Sequence, residues 1–343
     1  MTQLKRIFMA LGAMTIAACS SDQPASPPPT TDAVAEVPPD ALPDTSTDWH
    51  PETPFAVAID DYPRVDGATA TLPLEMIVAC ELLGVPWTWA SIGGGETSYE
   101  YGVVPTGPLA EALKAKIVHN KTHEAFLNLV DGKADLILQA NLPSTDELAY
   151  AASKGVTYDA KAIALDALVF LVNPANPVTN LTVEQVRAIY LTKFTKWNEV
   201  GGLDHIIHPY TRPPNSGSFE LFKALILKEE VMPAWPPDLV ASYMGALVNK
   251  IASDPDGLGY SVYYYVRYIV PLLSAGTKMI AIEGVDPTAS TLATRKYPLT
   301  TETYVVTRKD LAASSIAYKL RDWLLAPDGQ RVVKMSGYVP ITP

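Results

Sequence analysis

Cysteine is nearly absent: Cys19 and Cys80 are the only two in 343 residues. Two are too few for a disulfide framework. Histidine is scarce as well, and the five present are scattered, so no Cys/His cluster has the spacing of a zinc site. His119 and His123 share one helical face by spacing, but no HExxH pattern or third ligand accompanies them, and they read as surface or structural residues. Basic charge is short: 26 Lys and Arg stand against 37 Asp and Glu, a formal net charge of -11. Nucleic acid demands a basic surface and is thereby excluded as the partner. A small anion is not excluded, because a buried site works through local donors while net charge governs solubility and steering. Long apolar runs are also missing. The run from Ile7 to Ala18 falls short of the roughly 20 residues that a bilayer span needs. What is there is 48% hydrophobic and 18% charged residues, the balance of a soluble globular protein with a proper core.

The short apolar run follows Lys5-Arg6 and ends at Cys19. A basic start followed by a brief apolar stretch is a secretory signal. Ile16-Ala17-Ala18-Cys19 resembles a bacterial lipobox, an aliphatic residue and two small ones before the cysteine that takes the lipid. Residues 1–19 are therefore expected to be a lipoprotein signal peptide, with Cys19 lipidated. The body would be held outside the cytoplasm on a bacterial membrane, in the periplasm or at the cell surface, touching the membrane through the lipid alone. Residues 20–54 are rich in Pro, Ser, Thr, Asp and Ala, with Pro27-Pro28-Pro29 and Pro38-Pro39. Such composition buries too little apolar surface to fold and reads as a disordered tether. Cys80, in Met76-Ile77-Val78-Ala79-Cys80, reads as a small buried hydrophobe.

From Phe55 the pattern alternates. Short apolar runs predict strands at Phe55–Ile59, Leu136–Leu138, Ala167–Val172, Met279–Ile282 and Thr303–Val306. Helical stretches lie at Pro73–Leu83, His123–Leu129, Val183–Tyr190, Phe219–Leu227, Leu239–Ile251 and Ser314–Leu325. Strands alternating with helices imply an α/β fold with parallel sheets under covering helices. Ligands of such sheets sit where helix N-termini point, and those ends favour anions. Three segments put hydroxyls or Gly at a helix start. Thr71 precedes Pro73 after Gly67. Thr122 follows Asn120-Lys121. Arg212 precedes Ser216-Gly217-Ser218, adding a planar fork of donors and a Gly that lets backbone approach a ligand. Singly each reads as an ordinary cap; together they suggest one shared anion. The aromatic residues Trp87, Trp89 and Tyr263–Tyr265 read as packing rather than a sugar platform.

These segments resemble the phosphate-specific substrate-binding proteins of ABC importers. The resemblance is carried by Tyr62-Pro63-Arg64-Val65-Asp66-Gly67-Ala68-Thr69-Ala70-Thr71, Asn120-Lys121-Thr122-His123, Trp197-Asn198-Glu199-Val200-Gly201-Gly202, Arg212 with Ser216-Gly217-Ser218, and Gly259-Tyr260-Ser261. It implies a two-lobed type II periplasmic-binding fold, mixed sheets flanked by helices, with a hinge between the lobes. Residues 55–166 and 263–343 would form lobe I, and 167–262 lobe II. The chain would cross near Leu165–Val172 and return near Gly259–Tyr265. The resemblance further implies that Thr71, the Leu72 N–H and Thr122 bind phosphate from lobe I, and Arg212, Ser216, Gly217 and Ser218 from lobe II. Where the family carries an acidic residue, this chain reads Leu138-Gln139-Ala140-Asn141-Leu142, and Asn141, with Gln139 the neighbouring choice, takes that place. An amide accepts without charge, so preference for phosphate over sulfate is reduced.

The implied role is capture of inorganic phosphate, or a related oxyanion, for an ABC importer permease. The protein would act as a monomer, with no cofactor, metal or catalytic residue. Ser216 has no evident His partner, which argues against a phosphohydrolase. A sensor or surface-interaction protein without a transport role is the other alternative.

Overall fold

The structure, a computed structural model, describes residues 57–92, 101–270 and 276–341. The expected signal peptide, Cys19 and the tether of residues 20–54 lie outside the described residues. The chain divides into Met1–Glu36 and Val37–Pro343, and the architecture below is that of the second unit.

Among the described residues the strands are β1 Val65–Gly67, β2 Trp87–Ser91, β3 Tyr101–Pro105, β4 Leu136–Gln139, β5 Tyr158–Val172, β6 Asn180–Leu181, β7 His208–Pro209, β8 Gly257–Val262, β9 Lys278–Ile282, β10 Thr300–Arg308 and β11 Val339–Pro340. The helices that position the site are α1 Leu72–Leu83, α2 Ala110–Lys116, α3 Lys121–Val130, α4 Thr145–Ser153, α5 Val183–Tyr190, α6 Gly217–Phe222 and α7 Met244–Ser253. Two further helices, Ile316–Leu325 and Pro327–Met335, cover the sheet near the C-terminal end.

β5 organises the molecule. Its second half, Ile163 to Val172, is buried throughout. A near-continuous apolar strand of this kind must be covered on both faces. β10 runs antiparallel to it from Tyr158 to Ala167, and β11 pairs at Ala164 and Leu165. From Leu168 onward the partners change to β8, joined at Phe170–Val172 by β9. One sheet half thus carries β1, β4, β10 and β11, the other β6 to β9, and a single strand passes between them. The fold is two-lobed α/β, with a mixed sheet flanked by helices.

Three expectations are corrected. Phe55–Ile59 is not a strand where it is described: Ile59–Asp61 form a 3-10 turn, and the first strand is β1. β1 is buried and pairs in parallel with Leu136–Leu138, so burial selected Val65 rather than the earlier apolar residues. The sheet is not parallel throughout, because every described neighbour of β5 returns antiparallel to it. Nor does the whole of 263–343 follow the first sheet half. Lys278–Ile282 pairs back with Phe170–Val172, and the Tyr297 hydroxyl donates to the Leu168 carbonyl at 3.1 Å. The chain recrosses with β10.

α1 shows why the helices lie where they do. Pro73 occupies its first turn, where no backbone donor is needed. Gly84 ends it at φ 62. Pro73 through Leu82 are all buried, Cys80 among them, as a helix apolar on every side requires.

Candidate functional site

The site begins with a buried carboxylate that ties two loops together. Asp66, fully buried in β1, accepts from the N–H of Gly67 at 2.8 Å and of Asn120 at 2.9 Å. It also accepts from the side-chain amides of Asn120 at 2.8 Å and Asn128 at 2.9 Å. A charge can stay inside at this cost only when its lone pairs are filled in this way. The consequence is positional: the start of α3 is fixed against the β1–α1 loop.

Thr71 is part of that scaffold. Its hydroxyl oxygen is fully buried, 2.9 Å from the Ala68 carbonyl, 3.0 Å from the Leu138 carbonyl and 2.7 Å from Glu75 Oε1. Burial, reinforced by the Asp66 charge and opposed by the Thr71 bond, holds Glu75 well above the usual carboxylate range. A neutral Glu75 can donate to Thr71, leaving the Thr71 proton for a carbonyl. Thr71 and Leu72 therefore stand behind the cavity. Its wall at this point is Ala68, Thr69 and Ala70. Neither Thr71 nor Leu72 lines the cavity, whereas Thr69 does, its hydroxyl 3.1 Å from His119 Nε2.

The remaining expected residues converge. Thr122, Arg212, Ser216, Gly217 and Ser218 line one cavity of 390 Å³ between α3 and α6. Gly217 shows how close the two sides come. A methyl group placed there would stand 2.6 Å from Thr122 Oγ1 and 3.1 Å from Asn141 Oδ1. Asn141 is thus at the junction. Its Nδ2 donates to the Leu142 carbonyl at 2.8 Å, and its Oδ1 is buried without a partner. Gln139 lies deeper, fully buried, with Nε2 donating to the Thr122 carbonyl at 3.3 Å. Of the two amides, Asn141 is the one that meets the opposite side.

Arg212 dominates the electrostatics. It is 8% exposed; Nη1 donates to the Ala241 carbonyl at 2.8 Å, and Nε is buried with no partner. No carboxylate among the described residues pairs with it, and burial pushes the guanidinium down to about 10, so it stays cationic at neutral pH. Its N–H donates to the Tyr260 hydroxyl at 3.2 Å, and Tyr260 stacks on Phe222 with ring centres 4.5 Å apart. That aromatic floor fixes the segment after β7 from which Arg212 projects. Ser216 Oγ is also buried and unpartnered. A buried cation without a counterion costs several kcal/mol. The cavity therefore gathers a buried cation and an unpartnered hydroxyl, the donor chemistry that suits an oxyanion.

Three wall residues were not foreseen. Thr69 was passed over because Thr71 stands nearer to Pro73. Asn215, at φ 63, donates from Nδ2 to Asp146 Oδ2 of α4 at 2.7 Å, across the mouth of the cavity. His123 lines the cavity with Nδ1 2.9 Å from Glu147 Oε1. The partners of these residues come from distant stretches, and only the turn residues around Asn215 gave a local signal. Among the described residues no group of three His, Cys, Asp or Glu could hold a metal ion. No described helix is long and apolar enough to cross a membrane.

The chain is similar to the phosphate-binding protein PstS of Bacillus subtilis, 29% identical over 191 residues, which is 54% of this chain and 60% of that protein. It is similar to the phosphate-binding protein PstS of Borreliella burgdorferi at 26% over 183 residues, 52% of this chain and 64% of that one. The match thus spans less than two thirds of either relative's length. Among solved structures, an ABC-type phosphate transport receptor from Vibrio cholerae superposes with a TM-score of 0.56 at 22% identity, covering 80% of this chain and 98% of that chain. At that identity the likeness is one of fold, the two-lobed type II periplasmic-binding architecture. The family model described as the PBP superfamily domain matches residues 95–328, well over half of the chain, and the protein belongs to that superfamily.

Proposed function

We propose that this protein is an extracytoplasmic receptor that captures inorganic phosphate, or a close oxyanion, between its lobes and delivers it to an ABC importer. The observation that carries the reading is Arg212: a buried guanidinium with no acidic partner among the described residues, facing a cavity shared with Ser216, Ser218 and Thr122. The printed names of the relatives supply the choice of phosphate. Arg212, Ser216, Ser218, Thr122 and Thr69 act as donors, while Asn141 Oδ1 accepts from a protonated ligand oxygen. Donors held in place and sheltered from water offset the cost of stripping an anion of its hydration.

The lobes on this reading are 57–166 with 300–341, and 167–299, joined by β5 and β10. Opening separates Thr122 and Asn141 from Gly217, and closure on the ion brings them together. No bond in the ligand is made or broken. The lipid on Cys19 anchors a monomeric body to the membrane. Because Asn141 is neutral, discrimination against sulfate is weaker than a carboxylate in that place would give.

Calorimetry with phosphate and sulfate in separate runs tests the reading. Wild type is expected to bind phosphate. Arg212→Met is expected to lose about 100-fold or more in affinity, about 3 kcal/mol, since truncating one partner of a buried ion pair costs that much. The ligand-free variant is expected to melt no lower than wild type, because it sheds an unpaired buried charge. Unchanged phosphate affinity in Arg212→Met removes the site. A wild type that binds neither ion removes the function.

A further inference from the structure

The wall of the cavity holds an imidazole that the oxyanion reading leaves idle. His123 follows Thr122 directly in α3 and lines the cavity. Its Nδ1 lies 2.9 Å from Oε1 of Glu147 on α4. Glu147 is 1% exposed, and its Oε2 accepts the Ser144 N–H at 2.7 Å. Burial raises the Glu147 carboxyl, while the bonds from Ser144 and His123 hold it down. A charged Glu147 can only accept, so the proton between the two residues sits on Nδ1. That bond fixes the tautomer: in the neutral ring, Nε2 carries a lone pair. Nε2 makes no hydrogen bond among the described residues, and the side chain is 28% exposed. One nitrogen is anchored to the scaffold, and the other is not, on a residue that lines the cavity.

The charged groups around the ring are Glu147 and Asp146 on α4, Lys121 and Glu124 on its own helix, and Arg212 across the cavity. Of the acids, Glu124 alone lines the cavity, and it is exposed. Besides that exposed carboxylate and the lining hydroxyls, the acceptors available to a proton on the ligand are Asn141 Oδ1 and neutral His123.

We propose, on the strength of the oxyanion reading above, that His123 makes the choice between protonated and fully ionised oxyanions depend on pH. Neutral, Nε2 accepts the O–H of hydrogenphosphate. Sulfate has no proton to give and meets an unpaired acceptor, which disfavours it. Protonated, Nε2–H becomes a donor, adds a positive charge to that of Arg212, and admits sulfate as well.

Phosphate and sulfate affinities of wild type and His123→Gln, measured by calorimetry at about pH 8 and about pH 5.5, bracket the imidazole range and test the idea. Sulfate keeps its charge over this interval, and glutamine does not titrate. Wild-type affinity for sulfate is expected to rise about ten-fold or more on acidification, in keeping with an opposite charge brought beside an anion. His123→Gln is expected to bind sulfate equally at both. The same pH profile in the two proteins, or no sulfate binding by wild type at either pH, overturns the proposal while phosphate binding leaves the site in place. Failure of wild type to bind phosphate removes the site reading itself. The ring-proton resonance of His123 in wild type gives the answer without substitution: its titration midpoint should move upward on adding sulfate, and an unmoved midpoint overturns the proposal.

Discussion

Thr69 and Thr71 sit two positions apart and serve different ends. Thr71 spends its hydroxyl on a carbonyl of β4 and on Glu75, with none of it left for a ligand. Thr71→Val is therefore expected to cost about 1–3 kcal/mol of stability, the penalty for orphaning buried polar groups, read from urea unfolding. Phosphate affinity should stay within a few-fold of wild type. A large loss of affinity at unchanged stability would return Thr71 to the site. From sequence the residue read as a helix cap, yet it adopts φ -93, ψ -14 and makes no capping bond. Its partner Leu138 lies 67 residues away, and no local motif could announce it. Arg212, Ser216, Gly217 and Ser218 were legible for the opposite reason. They are neighbours in sequence, and the backbone alone delivers them to one place.

Among the elements, β5 joins the two sheet halves, and Asp166 sits two residues before Leu168, where the strand's partners change. Its Oδ1 accepts the N–H of Ala167 at 2.8 Å and of Tyr264 at 3.0 Å, while Oδ2 is buried without a partner. Burial, opposed by these backbone bonds, pushes its carboxyl up to about 7. The folded state thus prefers the protonated form. The stability it contributes is complete below the unfolded value of about 4 and is lost as the pH rises through about 7. Between about pH 5 and about pH 8, wild type should lose on the order of 2 kcal/mol more unfolding free energy than Asp166→Asn, whose amide still accepts but does not ionise. Parallel pH profiles for the two proteins would show that Asp166 does not drive the decline. The elements also mark where sequence was readable. α5 has the expected bounds, Val183–Tyr190, because its apolar stripe follows a Thr182–Gln185 capping box. α4 was not foreseen: Thr145–Ser153 has little apolar periodicity, and its sign was the Ser144–Glu147 box alone. β1 is three residues long, too short to show an alternation.

At the scale of the whole molecule, the alternation of strands and helices was enough to expect an α/β body, and the resemblance to the phosphate-binding receptors supplied the two lobes. The path of the chain between the lobes was not legible, because β9 finds its partner on Phe170–Val172 more than a hundred residues back, and pairing over such separations leaves no mark on either strand. The bond that Asn215, a residue lining the cavity, makes to α4 is equally non-local. Asn215 donates to Asp146 at 2.7 Å, and the Ser144 hydroxyl donates to the same carboxylate at 2.6 Å. On the hinged reading proposed above, a short bond to a charged acceptor, made only when the lobes are closed, acts on the closing equilibrium rather than on the ion. Asn215→Gly is the variant that isolates it, since glycine keeps φ 63 without strain and removes the amide. Loss of the bond should weaken phosphate binding about three- to ten-fold, the net worth of one ordinary hydrogen bond at an exposed position. The change should appear in faster release, with capture nearly unaltered. Ligand-free Asn215→Gly should also scatter X-rays as a slightly larger particle than wild type, and saturating phosphate should bring the two to the same radius. Release at the wild-type rate would mean that the lobes are held by the ion and its donors alone, and that the Asn215–Asp146 bond merely follows closure.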